Sequence, residues 1–345
     1  MSGSSLDGID IAYCEFVYSD SVLVEWELGA TACYKIPENV KEGIQQYTRL
    51  NPKEFMLLER SFTAVCKQAV EEFLVDHPVT IDFIGIHGQT LFHYPDKGLS
   101  FQMGDGKYLQ YQLGLPVVAD FRKEDILEGG QGTPMAPLAD KYLFSGYDVY
   151  VNLGGIANIT YWENESCIAY DLFPFNQYFN YYANLEGMDY DKDGTIGRSG
   201  NRQKSLDELF HSFSYFDMES PKSLDNNWIH NDFISRVEES GHSLKDKMNS
   251  YYHFCVEHLM YKLADHSKNI FISGGGAYNT FFIELLAKAC EKVGVRVVIP
   301  ESKLVDYKEA ALIAFAASCK FLNRSNFIAA ATGAKKSVIG GTIYR

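Results

Sequence analysis

Apolar residues follow two rhythms along this chain. Residues 9–16 (IDIAYCEF) and 22–28 (VLVEWEL) are dense in β-branched and aromatic side chains, which predicts a β-hairpin at the start. The rhythm then changes: Phe55, Leu58, Phe62, Val65, Ala69 and Phe73 recur every three or four residues behind Asn51 and Pro52. That is the stripe and the start signal of an amphipathic helix over 54–73. A short apolar run at 81–86 predicts a buried strand, and 117–119 and 149–153 predict two more.

Residues 150–164 (YVNLGGIANITYWEN) repeat the opening plan of strand, glycine turn and strand. A strand at 166–170 follows, then a helix at 247–264, a strand at 269–272, a helix at 280–292, a strand at 295–299 and a helix at 307–321. Strands and helices mixed through both halves predict an α/β protein, and the repeated hairpin points to duplication at the level of topology. The turn-like run Ser145, Gly146, Tyr147, Asp148 sets the expected boundary between a lobe over 1–147 and a lobe over 148–345. The final residues are expected to pack back on the first lobe.

Length agrees with two lobes, since 345 residues exceed what one hydrophobic core usually serves. With 31 Lys and Arg against 45 Asp and Glu the formal charge is −14, so the average surface repels phosphates. A nucleic acid or an anionic membrane is therefore not the expected partner. The chain has no apolar run of about 18 residues to span a bilayer, and residues 1–10 carry neither a basic start nor an apolar signal core; the cytoplasm is the expected compartment. The seven cysteines are scattered without a C-x-x-C pair and are expected as buried thiols.

Three glycine turns sit beside predicted strands: Gly3-Ser4-Ser5-Leu6-Asp7-Gly8, Asn152-Leu153-Gly154-Gly155 and Ser273-Gly274-Gly275-Gly276. Each is either a tight turn or a cradle that brings backbone N–H groups to an anion, because glycine permits close approach and positive φ. Three such turns spread over both halves suit a nucleotide clasped between lobes. The sequence has no P-loop, no G-x-G-x-x-G and no protein-kinase signature, so a different nucleotide fold is required. Residues 189–194 (DYDKDG) imitate half of a calcium loop, but position 12 is Gly200, and without the bidentate glutamate the segment reads as a polar loop. The histidine spacings give no zinc site, so no protein-held metal is expected.

Among the acids, Asp171 follows the 166–170 strand and sits among apolar neighbours. It is either a turn aspartate or a general base whose pKa burial would raise. Glu309 lies on the 307–321 helix and faces either a cleft or solvent. Arg122, at the end of the 117–119 strand, either grips a substrate carboxylate bidentately or makes a surface ion pair.

In order, the blocks MSGSSLDGID, HGQTLFHYP, QMGDG, VVADFRKED, GGQGTPMAP, NLGGIANIT, YDKDG, PKSL, ISGGGAYN, VDYKEAALIAFA and ATGA resemble the anhydro-N-acetylmuramic acid kinase family. This family belongs to the superfamily of sugar kinases, heat-shock chaperone ATPases and actin. The resemblance implies two ribonuclease-H-like α/β lobes with mixed sheets flanked by helices and ATP in the cleft between them. It implies ATP contacts from Gly3, Ser4, Ser5, Leu6, Asp7, Gly8, Ile9 and Asp10, and from Asn152, Gly154, Gly155, Gly274, Gly275 and Gly276, with Mg²⁺ arriving on the nucleotide.

The implied reaction opens the 1,6-anhydro ring with water and phosphorylates O6, giving N-acetylmuramic acid 6-phosphate and ADP in cell-wall recycling, with a homodimer as the working form. Asp171 matches the catalytic aspartate, and Arg122, Glu309, His87, Gln89 and Asn176 fall to the sugar. Two departures stand out. The family's D-T-G-P-x-N is here Asp171-Leu172-Phe173-Pro174-Phe175-Asn176, and the first strand is expected to be truncated. Altered substrate shape, or a nucleotide-switched binding protein in place of a kinase, is the alternative that the two large rings raise.

Overall fold

The computed structural model describes residues 1–345 except 4, 5, 7, 165, 221 and 264–267. Its strands are β1 (Ile9–Ser19), β2 (Val22–Tyr34), β3 (Ile84–Gly85), β4 (Gln89–Tyr94), β5 (Leu99–Met103), β6 (Val117–Ala119), β7 (Val149–Leu153), β8 (Ile156–Glu163), β9 (Ser166–Pro174), β10 (Asn269–Ser273), β11 (Arg296–Val298) and β12 (Thr342–Tyr344). The chain divides into two compact units, Met1–Ser145 with Tyr307–Arg345, and Gly146–Asp306. The break after Ser145 falls in the turn-like run that marked the expected boundary of 1–147. The residues from Tyr307 onward, drawn within 148–345, belong with the first unit.

In the second unit the sheet order is β11-β10-β7-β8-β9. Strands β7, β8 and β9 form an antiparallel meander, and β10 and β11 run parallel to β7. Tight turns can make the meander, but each parallel strand requires a crossover, which the Leu244–Leu263 and Thr280–Glu291 helices supply. In order of sequence this is the 3-2-1-4-5 arrangement of a ribonuclease-H-like lobe. Its core is aromatic: Phe173, Phe175, Tyr178, Tyr182, Phe210, Phe233, Tyr251 and Tyr252 are fully buried, and Phe179 stacks on Tyr252 at 3.8 Å between ring centroids. Each such ring removes about 150–250 Å² from water, so this core holds the sheet rigid beneath its turns.

Among the described residues of the first unit the strands form three sheets: β1-β2, β4-β5, and β12-β6-β3. The long helix Pro52–Asp76 begins at a full capping box, with Asn51 accepting from the Glu54 N–H, the Glu54 side chain accepting from the Asn51 N–H, and Pro52 at the first helical position. Its buried stripe of Leu58, Phe62, Cys66, Ala69 and Phe73 follows the predicted spacing. The strand expected over 81–86 is only Ile84–Gly85, parallel to β6. Pro116, just before β6, has no N–H to extend that ladder and only accepts, from Ile84.

Candidate functional site

Asp171 does not follow a strand as expected; it lies inside β9, opposite Asn158. The pairing register slips here, because Ala157 faces Phe173 while Asn158 faces Asp171, leaving Leu172 as the extra residue of a β-bulge. In a regular strand Asp171 and Phe173 would share a face. The bulge breaks that parity, so Leu172, Phe173 and Phe175 are all 0% exposed in the core while Asp171 stays half-buried. The two rings that mark the departure from the family motif pack on His258, Phe179 and Phe282. Both rings are spent on packing within the core.

β9 is the edge of its sheet, and Tyr215, Lys222 and Leu224 cover that edge at Asp171. The Asp171 N–H donates to the Lys222 carbonyl at 3.3 Å, the Tyr215 hydroxyl to the Asp171 carbonyl at 2.8 Å, and the Leu224 N–H to Oδ2 of Asp171 at 2.9 Å. Oδ1 has no hydrogen-bond partner among the described residues. Burial raises the pKa of this carboxyl, against the opposing pull of the Leu224 N–H. A carboxylate with one oxygen tied, one available and a raised pKa is equipped to take a proton from water.

The second and third glycine turns meet in the same unit. Ser273 at the end of β10 pairs with Asn152 of β7, and Gly274 follows at φ +82°. A Cβ there would lie 2.8 Å from Oδ1 of Asn152 and 2.9 Å from the Leu153 carbonyl oxygen, so only glycine lets the two turns touch. The Gly154–Gly155 turn is locked to the start of the Asn176–Leu185 helix: its carbonyls accept from the N–H groups of Phe175, Asn176 and Gln177 at 2.9–3.1 Å. Nδ2 of Asn176 also donates to the Leu153 carbonyl at 3.2 Å. Asn176 therefore stands with the glycine turns.

Beside them lies a cavity of about 140 Å³ lined by Asn176, Asn180, Asp193, Gly275, Gly276, Tyr278 and neighbours. That is room for several waters or a planar ring, since one water needs about 10–15 Å³. Sequence reasoning singles out neither Tyr278 nor Asn279 of its lining. Asn279 does carry a readable signal, because its side chain caps the Thr280–Glu291 helix by accepting from the Phe282 N–H. The calcium-like segment forms another part of the wall. Asp191 is buried and its oxygens are taken by the Ile196 and Gly197 N–H groups and the Tyr252 hydroxyl, so it orders the loop around the cavity.

In the first unit Ser2, His87, Gln89 and Arg122 come together. The Ser2 hydroxyl donates to Oε1 of Gln89 at 2.7 Å, and Nε of Arg122 donates to Nε2 of His87 at 3.1 Å. That bond needs a bare Nε2, so the imidazole proton sits on Nδ1, which faces the Gly88 carbonyl at 3.1 Å. Burial, with the Arg122 charge, pulls the pKa of His87 down to about 3. Burial also lowers Arg122 to about 10, against the charge of Glu309, and at neutral pH it remains a cation. Glu309 itself is exposed on the Ser302–Phe321 helix.

Asp125, which the sequence did not single out, is 0% exposed. It accepts from the Gly132 N–H and the Thr332 hydroxyl, both at 2.7 Å, and so ties the glycine run after Arg122 to the ATGA block. Of the first glycine turn, Ser4, Ser5 and Asp7 lie outside the described residues. Gly8 abuts β2 so closely that a Cβ would meet the Tyr34 carbonyl oxygen at 2.8 Å, and the Asp10 N–H donates to the Met1 carbonyl at 2.8 Å. Ile9 and Asp10 line a smaller cavity of about 60 Å³. Among the described residues no helix is long and apolar enough to cross a membrane.

The family profile described as anhydro-N-acetylmuramic acid kinase matches residues 1–345. Proteins of that name from Agrobacterium fabrum and Shewanella loihica are 30% and 31% identical, each over 100% of this chain and 97% of its own length. The protein of that name from Haemophilus influenzae is 28% identical over 100% of this chain and 96% of its own. Among solved structures, the ADPNP-bound activator of 2-hydroxyisocaproyl-CoA dehydratase from Clostridium difficile aligns with a TM-score of 0.36 at 14% identity, over 65% of this chain and 87% of that one. With its profile matched from end to end, the chain belongs to the anhydro-N-acetylmuramic acid kinase family.

Proposed function

We propose that this protein opens 1,6-anhydro-N-acetylmuramic acid with water and transfers the γ-phosphoryl group of ATP to O6, in the cytoplasm and as a homodimer, within peptidoglycan recycling. The observation that carries the reading is Asp171, half-buried on the β9 bulge with Oδ2 held by Leu224 and Oδ1 without a partner among the described residues. Oδ1 takes a proton from the water that attacks C1. As the C1–O6 bond breaks, its electron pair passes to O6, which attacks the γ-phosphorus and displaces ADP. The water oxygen remains on C1, and Asp171 later returns its proton to solvent.

Asn152, Gly154, Gly155, Gly274, Gly275 and Gly276 hold the nucleotide in this reading, and the adjoining cavity takes its nucleoside end. Asn176, which the resemblance assigned to the sugar, is better read with the nucleotide because it lines that cavity. Gly3, Leu6, Gly8, Ile9 and Asp10, with Ser4, Ser5 and Asp7, serve the phosphates. Arg122, His87, Gln89 and Glu309 serve the sugar. The described residues contain no group of three or more His, Cys, Asp or Glu able to hold a metal ion. Mg²⁺ is assigned in this reading to the nucleotide, its shell completed by phosphate oxygens and water.

The test supplies anhydro-N-acetylmuramic acid with Mg-ATP and measures ADP and the 6-phosphosugar. Wild type yields both. Asp171→Asn loses about 10²–10⁴-fold in turnover, the usual worth of a general base, with ATP affinity within about threefold. A variant that turns over like wild type removes Asp171 from the reaction, and a wild type that makes neither product ends the kinase reading.

A further inference from the structure

Lys222 is a buried cation to which the reaction above gives no part. It is 7% exposed. Its Nζ donates to the Tyr215 carbonyl at 3.0 Å and stands over two rings, 4.6 Å from the centroid of Tyr215 and 5.7 Å from that of Tyr170. An ammonium taken out of water survives only where such partners replace its hydration. These contacts all bear on Asp171: Tyr170 precedes it on β9, the Tyr215 hydroxyl reaches its carbonyl, and the Lys222 carbonyl receives its N–H.

The Lys222 side chain therefore closes a ring of contacts around the base. Tyr215 and Leu224 each bond Asp171, and the ammonium ties residues 222–224 back to Tyr215. We propose that Lys222 is a positioning residue, which pins residues 222–224 along the edge of β9 and thereby holds the Leu224 N–H on Oδ2 of Asp171. The inference rests on the reading of Asp171 as the base. Among the described residues, the charges that act on Lys222 are Lys262, from the Leu244–Leu263 helix, and Asp217, from the Ser214–Asp217 turn. His258, on the same helix as Lys262, is held neutral by its burial. Burial first, then Lys262, lowers the ammonium to about 8, with Asp217 opposing, so the pin is charged at neutral pH.

The experiment is made on the full chain and has one arm that needs no substrate. Lys222→Met keeps the stem and removes the charge. Amide hydrogen exchange at Asp171 and Leu224 is expected to quicken by about tenfold or more, and kcat to fall by about tenfold or more with KM for ATP within about twofold. Lys222→Arg, which restores a cation over the two rings, is expected to recover most of both losses. Unchanged exchange or unchanged kcat in Lys222→Met overturns the proposal, as does an Arg variant that folds and is no better than the Met variant. Should the Lys222 variants fail to fold, Tyr215→Leu decides, because it removes a ring that stands over the ammonium: amide exchange at Leu224 is expected to quicken by about tenfold, and unchanged exchange overturns the pin. A wild type without turnover sinks the kinase reading alone, and the exchange arm then decides the pin by itself.

Discussion

The backbone N–H of Leu224 lies 2.9 Å from Oδ2 of Asp171 and divides that carboxylate into one tied oxygen and one available oxygen. The bulge at Leu172 makes the division useful. It sends the neighbouring apolar side chains into the aromatic core while the carboxyl stays at the sheet edge. A local irregularity in strand pairing has thereby separated a polar function from the packing of the residues next to it.

That placement costs stability, with a definite sign. The pKa of Asp171 is raised above its ordinary value of 3.8, so as pH rises the unfolded chain ionises first and the native state is penalised; the penalty is complete above the folded pKa. Asp171→Asn keeps an oxygen for the Leu224 N–H and carries no charge. It is expected to melt above wild type at neutral pH, with the gap closing as pH falls towards about 4. Thermal unfolding of both proteins across that range is the check, and a variant that melts below wild type at neutral pH contradicts the assignment of burial as the dominant cause.

The contrast between Asp171 and the long helix shows which features local sequence carries. Asn51, Pro52 and Glu54 specify a helix start by contacts within four residues, and the capping box formed as their spacing requires. The strand that begins at Ser166 reads locally as ending at Tyr170, because nothing in Asp171-Leu172-Phe173 reveals that Ala157 and Asn158 on the partner strand will slip register. Likewise, the glycine turns at 152–155 and 273–276 were legible as turns, whereas the contact of Gly274 with Asn152 depends on β10 joining β7 in parallel. Lys222 lay in plain view within PKSL, but a lysine's burial is set by the rings it meets, and Tyr170 comes from a distant part of the sequence.

Gly275 and Gly276 separate packing from binding within one turn. A Cβ on Gly276 would meet Cε1 of Phe175 at 2.4 Å and Cβ of Leu153 at 2.7 Å, whereas on Gly275 its nearest contact is Nδ2 of Asn176 at 3.9 Å. Gly276→Ala is expected to cost about 1–3 kcal/mol in urea unfolding, the usual range for overpacking. Gly275→Ala is expected to unfold like wild type and to raise KM for ATP severalfold, because its new methyl group meets the nucleotide that the turn is proposed to hold. If Gly275→Ala binds ATP normally, the nucleotide does not approach this turn.

Arg122 commits one donor to the protein, and the others are proposed to meet the sugar. Nε is committed to His87, and the two terminal nitrogens have no hydrogen-bond partner among the described residues, leaving the forked end for a carboxylate. Lysine has no counterpart to that fork, so Arg122→Lys is expected to lose about 1.5–3 kcal/mol of sugar binding, the worth of a hydrogen bond to a charged group, with KM for ATP unchanged. The group that meets Arg122 can be identified by comparing anhydro-N-acetylmuramic acid with the anhydrosugar that lacks its lactyl carboxylate. Wild type should prefer the acid, and Arg122→Lys should lose most of that preference, because two changes that break one contact are not additive. With His87 neutral above about 3 and Arg122 charged below about 10, this pair adds no pH dependence to the preference between about pH 5 and 8. A Lys variant that discriminates as well as wild type would assign the carboxylate to another partner.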